Sequence, residues 1–181
     1  MPLKIKFPEK GQYPINIFVG RFQPFTNGHL KVLETLHKQN LKGVLLLTVQ
    51  SKEPYFPEIL QHKIIREIVK EYSFVRGFYS IPNAGIDTVF NEARPAYEPV
   101  LWGFGTDRAK SYNAQIQKDI YRMELDVRQD FEGYEIKRAD EDVSSTKVRL
   151  ALKEDNLNEF KRLMPECTWK FYEELTKHMR N

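Results

Sequence analysis

The sequence predicts an α/β fold with a doubly wound, mostly parallel five-stranded sheet of the Rossmann-like kind, followed by C-terminal helices. Two observations carry this prediction. Short apolar runs rich in β-branched residues alternate with segments whose apolar residues recur at helical spacing. The chain has 181 residues, of which 41% are hydrophobic, so it can bury one core without disulfide bonds.

The first half of the chain shows the strand–helix alternation most clearly. Residues 1–14 hold several lysines and prolines and read as an extended N-terminal extension. Apolar runs predict strands over 15–19, 43–50 and 74–81. Between the first two strands, leucines at helical spacing predict a helix over 28–40. Between the second and third strands, an apolar stripe predicts a second helix, which begins near Pro57.

The second half continues the pattern after an interruption. The segment 83–99 is rich in proline and has no clean period, so no element is predicted there. Strands are predicted over 100–104 and 134–138, and helices over 108–117, from Ser144 onward, over 157–163 and over 166–179. The α/β domain is therefore predicted over 15–155, with the helices of 156–181 packed on the same domain.

The composition excludes several classes of protein. The net charge is only +3, and the basic residues are dispersed, which argues against a dedicated nucleic-acid-binding protein. The single cysteine, Cys167, excludes an intrachain disulfide and favours a reducing compartment such as the cytoplasm. The longest apolar run, 44–47, is far too short to span a membrane, and residues 1–10 lack the apolar stretch of a signal peptide.

A first group of candidate site residues follows the first predicted strand. Its members are Gly20, Arg21, Thr26, Gly28 and His29. The carboxyl end of a strand in a doubly wound sheet is where ligands bind, and a helix N-terminus suits an anion. Glycines allow close approach of the backbone, and the hydroxyl and imidazole lie three residues apart, so both can face one phosphate. The alternative is a surface arginine, a threonine N-cap and a solvated histidine.

A second group lies at the start of a later predicted helix. Ser144, Ser145 and Thr146 place three hydroxyls at that helix start, and Arg149 follows one turn on. Hydroxyls and unpaired N–H groups at a helix N-terminus bind phosphate oxygens, and arginine adds a forked cation. The alternative is an ordinary capping cluster.

A third group, Gly105, Asp107 and Arg108, follows the fourth predicted strand. It lacks the third glycine of a dinucleotide-binding loop, and the chain has no P-loop motif. Asp107 is a candidate ribose ligand and Arg108 a candidate phosphate ligand. The alternative is that Asp107 caps a helix whose Arg108 is solvated.

Two of these groups carry a resemblance to a known family. Residues 20–29 read Gly-Arg-Phe-Gln-Pro-Phe-Thr-Asn-Gly-His and resemble the (H/T)xGH signature of the nucleotidyltransferase superfamily. The first six residues are most similar to nicotinamide mononucleotide adenylyltransferases of the archaeal and bifunctional bacterial kind, which usually have His where this chain has Thr26. Thr-Asn-Gly-His is similar instead to phosphopantetheine adenylyltransferases. Residues 143–149 resemble the Ile-Ser-Ser-Thr-x-Ile-Arg motif of the same superfamily.

The resemblance implies an enzyme that joins ATP to a small phosphorylated acceptor and releases pyrophosphate, with Mg²⁺ bound mainly through substrate phosphates. It assigns His29 to the α-phosphate and the transition state, and Thr26 to nearby phosphates. It assigns Arg149 and the preceding hydroxyls to the departing pyrophosphate. It also assigns Phe22 to the nucleotide-binding loop. Gly105 and Asp107 resemble the family segment that lines the base and ribose.

The acceptor that the resemblance favours is nicotinamide mononucleotide, which would give NAD. Ser51 follows the second strand, where the family lodges part of the acceptor. The family stacks the nicotinamide ring on a Trp after the third strand; residues 83–90 contain no Trp, and Phe90 is predicted to replace it. The alternatives are a phosphopantetheine adenylyltransferase, a cytidylyltransferase and a non-catalytic nucleotide sensor. Homo-oligomers are common in the family.

Overall fold

The computed structural model of the protein describes residues 8–119, 130–137 and 143–180. The chain divides into two compact units, each assembled from segments that are separate in the sequence. The first, here called the sheet unit, comprises Met1–Gly20, Val32–Gln50 and Phe74–Lys137. The second, here called the loop unit, comprises Arg21–Lys31, Ser51–Ser73 and Arg138–Asn181. The predicted boundaries at 14, 155 and 181 stay predictions.

The described part of the sheet unit is built on one five-stranded sheet with strand order β3-β2-β1-β4-β5. The strands are β1 (Tyr13–Gly20), β2 (Val44–Val49), β3 (Val75–Ile81), β4 (Tyr97–Gly105) and β5 (Glu132–Ile136). Every neighbouring pair is parallel, which confirms the predicted doubly wound α/β fold. From β1 the chain adds β2 and β3 on one side of the sheet, and it then adds β4 and β5 on the other side. Ligands of doubly wound sheets bind where the strand order reverses in this way, here between β1 and β4.

The central strands are buried because helices cover a parallel sheet on both faces. In β2, the first five residues have no appreciable exposure, as its continuous apolar sequence predicts. Phe18 of β1 lies opposite Leu46 of β2 and Gly103 of β4. Trp102 of β4 has no exposed surface. One face of the sheet contributes to an apolar cluster of these residues: Ile15, Ile17, Val19, Leu45, Leu47, Ile81, Ile86, Val89, Phe90, Ala93, Trp102, Phe104, Ile116 and Phe131.

Helix α1 (Asn27–Asn40) packs closely on the sheet. A Cβ atom added to Gly103 would lie 2.8 Å from the methyl groups of Leu36, so a larger residue there would require the Leu36 side chain to shift. The amide of Asn16 donates to the Leu36 carbonyl at 3.3 Å and to Asn40 Oδ1 at 2.8 Å. The predicted helix over 28–40 is thus confirmed.

Within the described ranges, the structure contains a helix that the sequence pattern did not predict. Helix α3 (Ile86–Ala93) lies within the proline-rich segment, and its apolar residues face the core. The helix has only eight residues, so its period repeats barely twice between prolines. Strand β4 also begins earlier than predicted, at Tyr97, and helix α4 covers Thr106–Asp119. Strand β5 ends at Ile136, and residue 138 of its predicted range lies outside the described residues.

The loop unit contains the remaining helices. They are α2 (Glu58–Val69), α5 (Ser145–Lys153), α6 (Leu157–Leu163), a 3-10 helix (Glu166–Phe171) and α7 (Tyr172–Arg180). The segment 166–179, predicted as one α-helix, begins as the 3-10 helix after Pro165. Among the described residues, no helix combines the length and apolar character needed to cross a membrane.

Glu67 of α2 pairs with two lysines, of which Lys170 lies on the 3-10 helix and Lys70 at the end of α2 itself. Its carboxylate accepts from Lys70 Nζ at 2.8 Å and from Lys170 Nζ at 2.9 Å. These hydrogen bonds hold the pKa of Glu67 at about 2, below its ordinary value of 4.5. Because folding lowers this pKa, the stabilisation is complete above pH 4.5 and is lost as the pH falls toward 2.

A buried ion pair ties the end of α3 to β4. The side chain of Arg94 is 2% exposed and that of Glu98 is 9% exposed, and Arg94 Nη2 lies 2.5 Å from Glu98 Oε2. Arg94 also donates to the Pro8 carbonyl at 2.9 Å, and the Gly11 amide donates to Glu98 at 3.0 Å. We predict that Glu98→Ala lowers the free energy of unfolding by about 3–5 kcal/mol, because it leaves a buried guanidinium unpaired.

Thermal or urea unfolding measures this effect. Glu159→Ala is the matched control, because Glu159 pairs with Arg162 on the exposed surface of α6. An exposed pair contributes about 0–1 kcal/mol, so this variant should unfold close to the wild type. Equal stability of the two variants would contradict a structural role for the buried pair.

Candidate active site

Residues 21–26, here called the anchor loop, connect β1 with α1. Phe22 has a φ of 50°, in the left-handed region that a bulky residue rarely adopts. The amide nitrogen of Gln61, on α2, donates to the Phe22 carbonyl at 3.0 Å and also to the Arg21 carbonyl. The Tyr55 backbone N–H donates to Gln23 Oε1 at 2.7 Å. Side chains and backbone from 51–73 therefore hold the loop in its unusual conformation.

Thr26 is the N-cap of α1. Its hydroxyl accepts from the Gly28 amide at 3.2 Å and lies 3.5 Å from the His29 amide nitrogen, while its carbonyl accepts from the Leu30 amide. The side chain has no exposed surface. The hydroxyl also lies 3.3 Å from His29 Nδ1, so Thr26 both caps the helix and contacts the histidine. The phosphate contact that the sequence predicts for Thr26 stays a prediction.

The Thr26 backbone also determines how the His29 ring is protonated. The Thr26 N–H donates to His29 Nδ1 at 3.0 Å. A nitrogen that accepts a hydrogen bond from a backbone N–H carries no proton, so in the neutral ring the proton is on Nε2. The half-buried imidazole packs against Phe22 and Phe25, with ring centroids 5.1 and 5.2 Å away. Thr26 and the two aromatic contacts thus hold the ring, with Nε2 as the donor atom of its neutral form.

Helix α5 is bonded to the same loop. Ser145 Oγ donates to the Pro24 carbonyl at 2.9 Å, and Arg149 Nη1 donates to the Gln23 carbonyl at 2.7 Å. Ser144 caps the helix by accepting from the Lys147 amide at 3.2 Å. The two sequence motifs therefore meet at consecutive residues of the anchor loop, within one compact unit.

Arg149 is also constrained from two other directions. Its Nη2 donates to Thr146 Oγ1 at 3.2 Å. Its guanidinium carbon lies 3.9 Å from the centroid of the Tyr55 ring, which is a cation–π distance. A half-buried guanidinium held in this way presents a fixed positive charge next to the N-terminus of α5.

The donor set of this site suits anions. The N-termini of α1 and α5 both contribute the positive end of a helix dipole, and Arg149 adds a full charge. Within the described part of the chain, no group of three or more His, Cys, Asp or Glu side chains could hold a metal ion. The arrangement is chemically suited to bind phosphate oxygens and to stabilise negative charge on them.

The other predicted residues are divided between the units. In the loop unit, Gly28 and Phe22 are buried, Ser51 is half-buried, and Arg21 and Thr146 are exposed. In the sheet unit, Gly20 and Gly105 end the neighbouring strands β1 and β4. Arg108 is exposed on α4. Asp107 belongs to α4, but its side chain lies outside the described part of the structure.

Phe90 does not have the exposure that ring stacking requires. Its side chain has no exposed surface and belongs to the apolar cluster of the sheet unit. The ring packs on Phe131 at 5.2 Å and lies 5.3 Å from the Arg94 guanidinium carbon. The structure therefore gives Phe90 the role of a core residue, because the apolar face of α3 is what covers the sheet here.

Three residues that hold the site were not singled out from the sequence: Gln23, Tyr55 and Gln61. Gln61 had a detectable signal in the sequence, because it is a polar residue within the apolar stripe of α2. In the structure it is only 7% exposed. Gln23 lies inside the recognised motif without an assigned role. Tyr55 follows Ser51 in the segment that the resemblance places near the acceptor, but it had no assigned role, because its contact with Arg149 depends on the fold.

Comparison with known proteins agrees with this fold. The sequence model of the Cytidylyltransferase-like family matches residues 17–151. Two structures of Plasmodium falciparum nicotinic acid mononucleotide adenylyltransferase, complexed with APC and with NaAD, each give a TM-score of 0.68 at 16% identity. The match covers 94% of this chain and 99% of each of those chains. No curated protein sequence matches the chain.

A bifunctional NMN adenylyltransferase/ADP ribose pyrophosphatase from Francisella tularensis is similar in fold as well. It gives a TM-score of 0.62 at 16% identity, over 94% of this chain and 51% of that one. At this identity the structural likeness establishes the fold, whereas the family match extends over most of the chain.

We predict that Gln61→Leu destabilises the protein by about 1–3 kcal/mol, because the buried carbonyls of Arg21 and Phe22 lose their donor. Urea unfolding measures the change. Gln39→Leu is the matched control, since Gln39 is exposed and accepts a surface hydrogen bond from Tyr134. If both variants unfold at the same urea concentration, Gln61 does not hold the anchor loop.

Proposed function

The chain belongs to the Cytidylyltransferase-like family and is a nucleotidyltransferase, and from this premise we propose that it joins ATP to a pyridine mononucleotide with release of pyrophosphate. One observation carries the proposal. His29 and Arg149, from the two distant motifs, are both bonded to the anchor loop within one compact unit. A triphosphate needs such a combination of a neutral donor and a fixed cation along its length.

The proposed reaction requires no general base. A phosphate oxygen of the acceptor is already anionic, and it attacks the α-phosphorus of ATP. The bond from that phosphorus to the oxygen bridging to the β-phosphate breaks, and pyrophosphate leaves with the electron pair. The protein therefore has to align two anions and stabilise the charge that grows on the transferred group.

His29 is the proposed donor to the α-phosphate. Its neutral ring has the proton on Nε2, because the Thr26 N–H occupies Nδ1. A donor held in place before substrate arrives costs no reorganisation when charge develops in the transition state. Thr26 contributes indirectly, since its backbone fixes the tautomer and its hydroxyl caps the helix that carries His29.

Arg149 is the proposed ligand of the departing pyrophosphate, together with the start of α5. Ser144, Ser145 and Thr146 place hydroxyl groups beside the amides of the first helical turn. Gly20, Gly28 and Arg21 are proposed to contact the nucleotide phosphates from the first motif. Gly105, Asp107 and Arg108 are proposed to bind the ribose and base side of the nucleotide.

Mg²⁺ is proposed to bind through the phosphates of the triphosphate and to enter the site with it, rather than to be held by a set of protein ligands. Magnesium prefers phosphate oxygens and water as ligands and often needs only one or two carboxylates. The cationic and hydroxyl donor set described above fits the phosphates. When bound, the ion neutralises charge on the triphosphate.

The choice of acceptor rests on similarity. The similar solved structures described above are named as nicotinic acid or NMN adenylyltransferases, and the first six motif residues resemble the same branch. Ser51 is proposed to contact the acceptor, whereas the buried Phe90 is left out. Phosphopantetheine remains the second candidate because of Thr-Asn-Gly-His, and CTP is a second nucleotide to test because of the family match.

Pyrophosphate release tests the proposal directly. The protein is incubated with ATP or CTP, Mg²⁺, and one of three acceptors: nicotinamide mononucleotide, phosphopantetheine or a phosphorylated alcohol. We expect turnover with ATP and nicotinamide mononucleotide, with the dinucleotide as product. Turnover with another pair would reassign the substrate, and nucleotide binding without any turnover would indicate a sensor.

We predict that His29→Ala lowers kcat by about 10²–10³, the effect of removing one preorganised donor to developing charge. Steady-state pyrophosphate release measures it. His178→Ala is the control, because His178 is exposed on α7. A near-normal kcat for His29→Ala would remove His29 from the chemistry.

A further inference from the structure

We propose that Tyr55 is a positioning residue that orients the Arg149 guanidinium for phosphate binding. The inference rests on the proposed function, in which Arg149 binds the triphosphate. It adds a residue that neither the sequence motifs nor the family match assigns. Tyr55 lies in the segment between β2 and α2, and its ring is 53% exposed.

The geometry of Arg149 supports this role. Three contacts define the plane of the guanidinium: Nη1 to the Gln23 carbonyl at 2.7 Å, Nη2 to Thr146 Oγ1 at 3.2 Å, and the Tyr55 ring 3.9 Å from the guanidinium carbon. The two hydrogen bonds hold its edge, and the ring covers one face. An arginine confined in this way loses little further freedom when it binds an anion.

Tyr55 is itself held by the residue that Arg149 contacts. The Tyr55 N–H donates to Gln23 Oε1 at 2.7 Å, so Gln23 binds Tyr55 through its side chain and Arg149 through its carbonyl. Gln23 is only 6% exposed. Tyr55 is 53% exposed, and its ring lies at a cation–π distance from the Arg149 guanidinium.

The arrangement leaves donors for a ligand. An arginine side chain has five N–H groups. Gln23 and Thr146 each accept one of them, and within the described residues no other hydrogen-bond acceptor is recorded for Arg149. The remaining N–H groups are therefore available to phosphate oxygens, in an orientation that Tyr55 maintains.

Isothermal titration with MgATP on the full chain tests the proposal through Tyr55→Leu and Tyr55→Phe. We expect Tyr55→Leu to weaken ATP binding about fivefold to tenfold, which corresponds to an intermediate cation–π interaction. Tyr55→Phe keeps the aromatic face and should stay within about twofold of wild type. Tyr13→Leu is the matched control, because Tyr13 is a 58% exposed tyrosine of the sheet unit.

A double-mutant cycle separates orientation of Arg149 from a direct contact with ATP. In an Arg149→Ala background, Tyr55→Leu should cause no further loss of ATP affinity, because Tyr55 then has no cation to orient. A loss that persists in that background overturns the proposal, as does wild-type affinity in Tyr55→Leu. Equal losses in Tyr55→Phe and Tyr55→Leu also overturn it, because they would require the hydroxyl.

The titration also distinguishes this inference from the proposed function. If wild type binds ATP but releases no pyrophosphate with any acceptor, the enzymatic proposal fails while the cycle still decides the role of Tyr55. If wild type binds neither ATP nor inorganic pyrophosphate, both proposals fail.

Discussion

Three consecutive carbonyl groups of the anchor loop accept hydrogen bonds from donors outside the loop. Gln61 of α2 donates to Phe22, while Arg149 and Ser145 of α5 donate to Gln23 and Pro24. An unpaired buried carbonyl costs free energy, so these contacts hold both helices to the same short stretch of backbone. The position of α2 and α5 in the loop unit, and the conformation of the loop before His29, depend on this set of bonds.

This arrangement suits phosphate chemistry because it fixes hydrogen-bond donors in place, and the proposed reaction needs no general base. His29 receives a backbone hydrogen bond on Nδ1, which leaves Nε2 as the donor of the neutral ring. Arg149 supplies a guanidinium whose plane is held by hydrogen bonds to Gln23 of the loop and to Thr146 of α5. The same backbone bonds that stabilise the loop therefore orient the two groups that the reaction would use.

Much of the fold was predictable because it depends on local pattern. The apolar runs of β1 and β2 and the leucine spacing of α1 occur within single elements, and the structure has them close to their predicted bounds. Helix α3 was missed because it is too short to show a period between prolines. The 3-10 helix at 166–171 was also missed. The residue pattern after Pro165 does not distinguish the hydrogen bonding of a 3-10 helix from that of an α-helix.

The sequence by itself determined the chemical types present: a capped helix start with His29, a second helix start with Arg149, and strands that end at glycine. The tertiary structure alone decided which groups meet. Arg149 and Gln23 are 126 residues apart in the chain, so no local spacing could place them in contact. Exposure was decided in the same way. Phe90 is buried and Tyr55 exposed because burial depends on which elements pack over a side chain, and residue type constrains this only weakly.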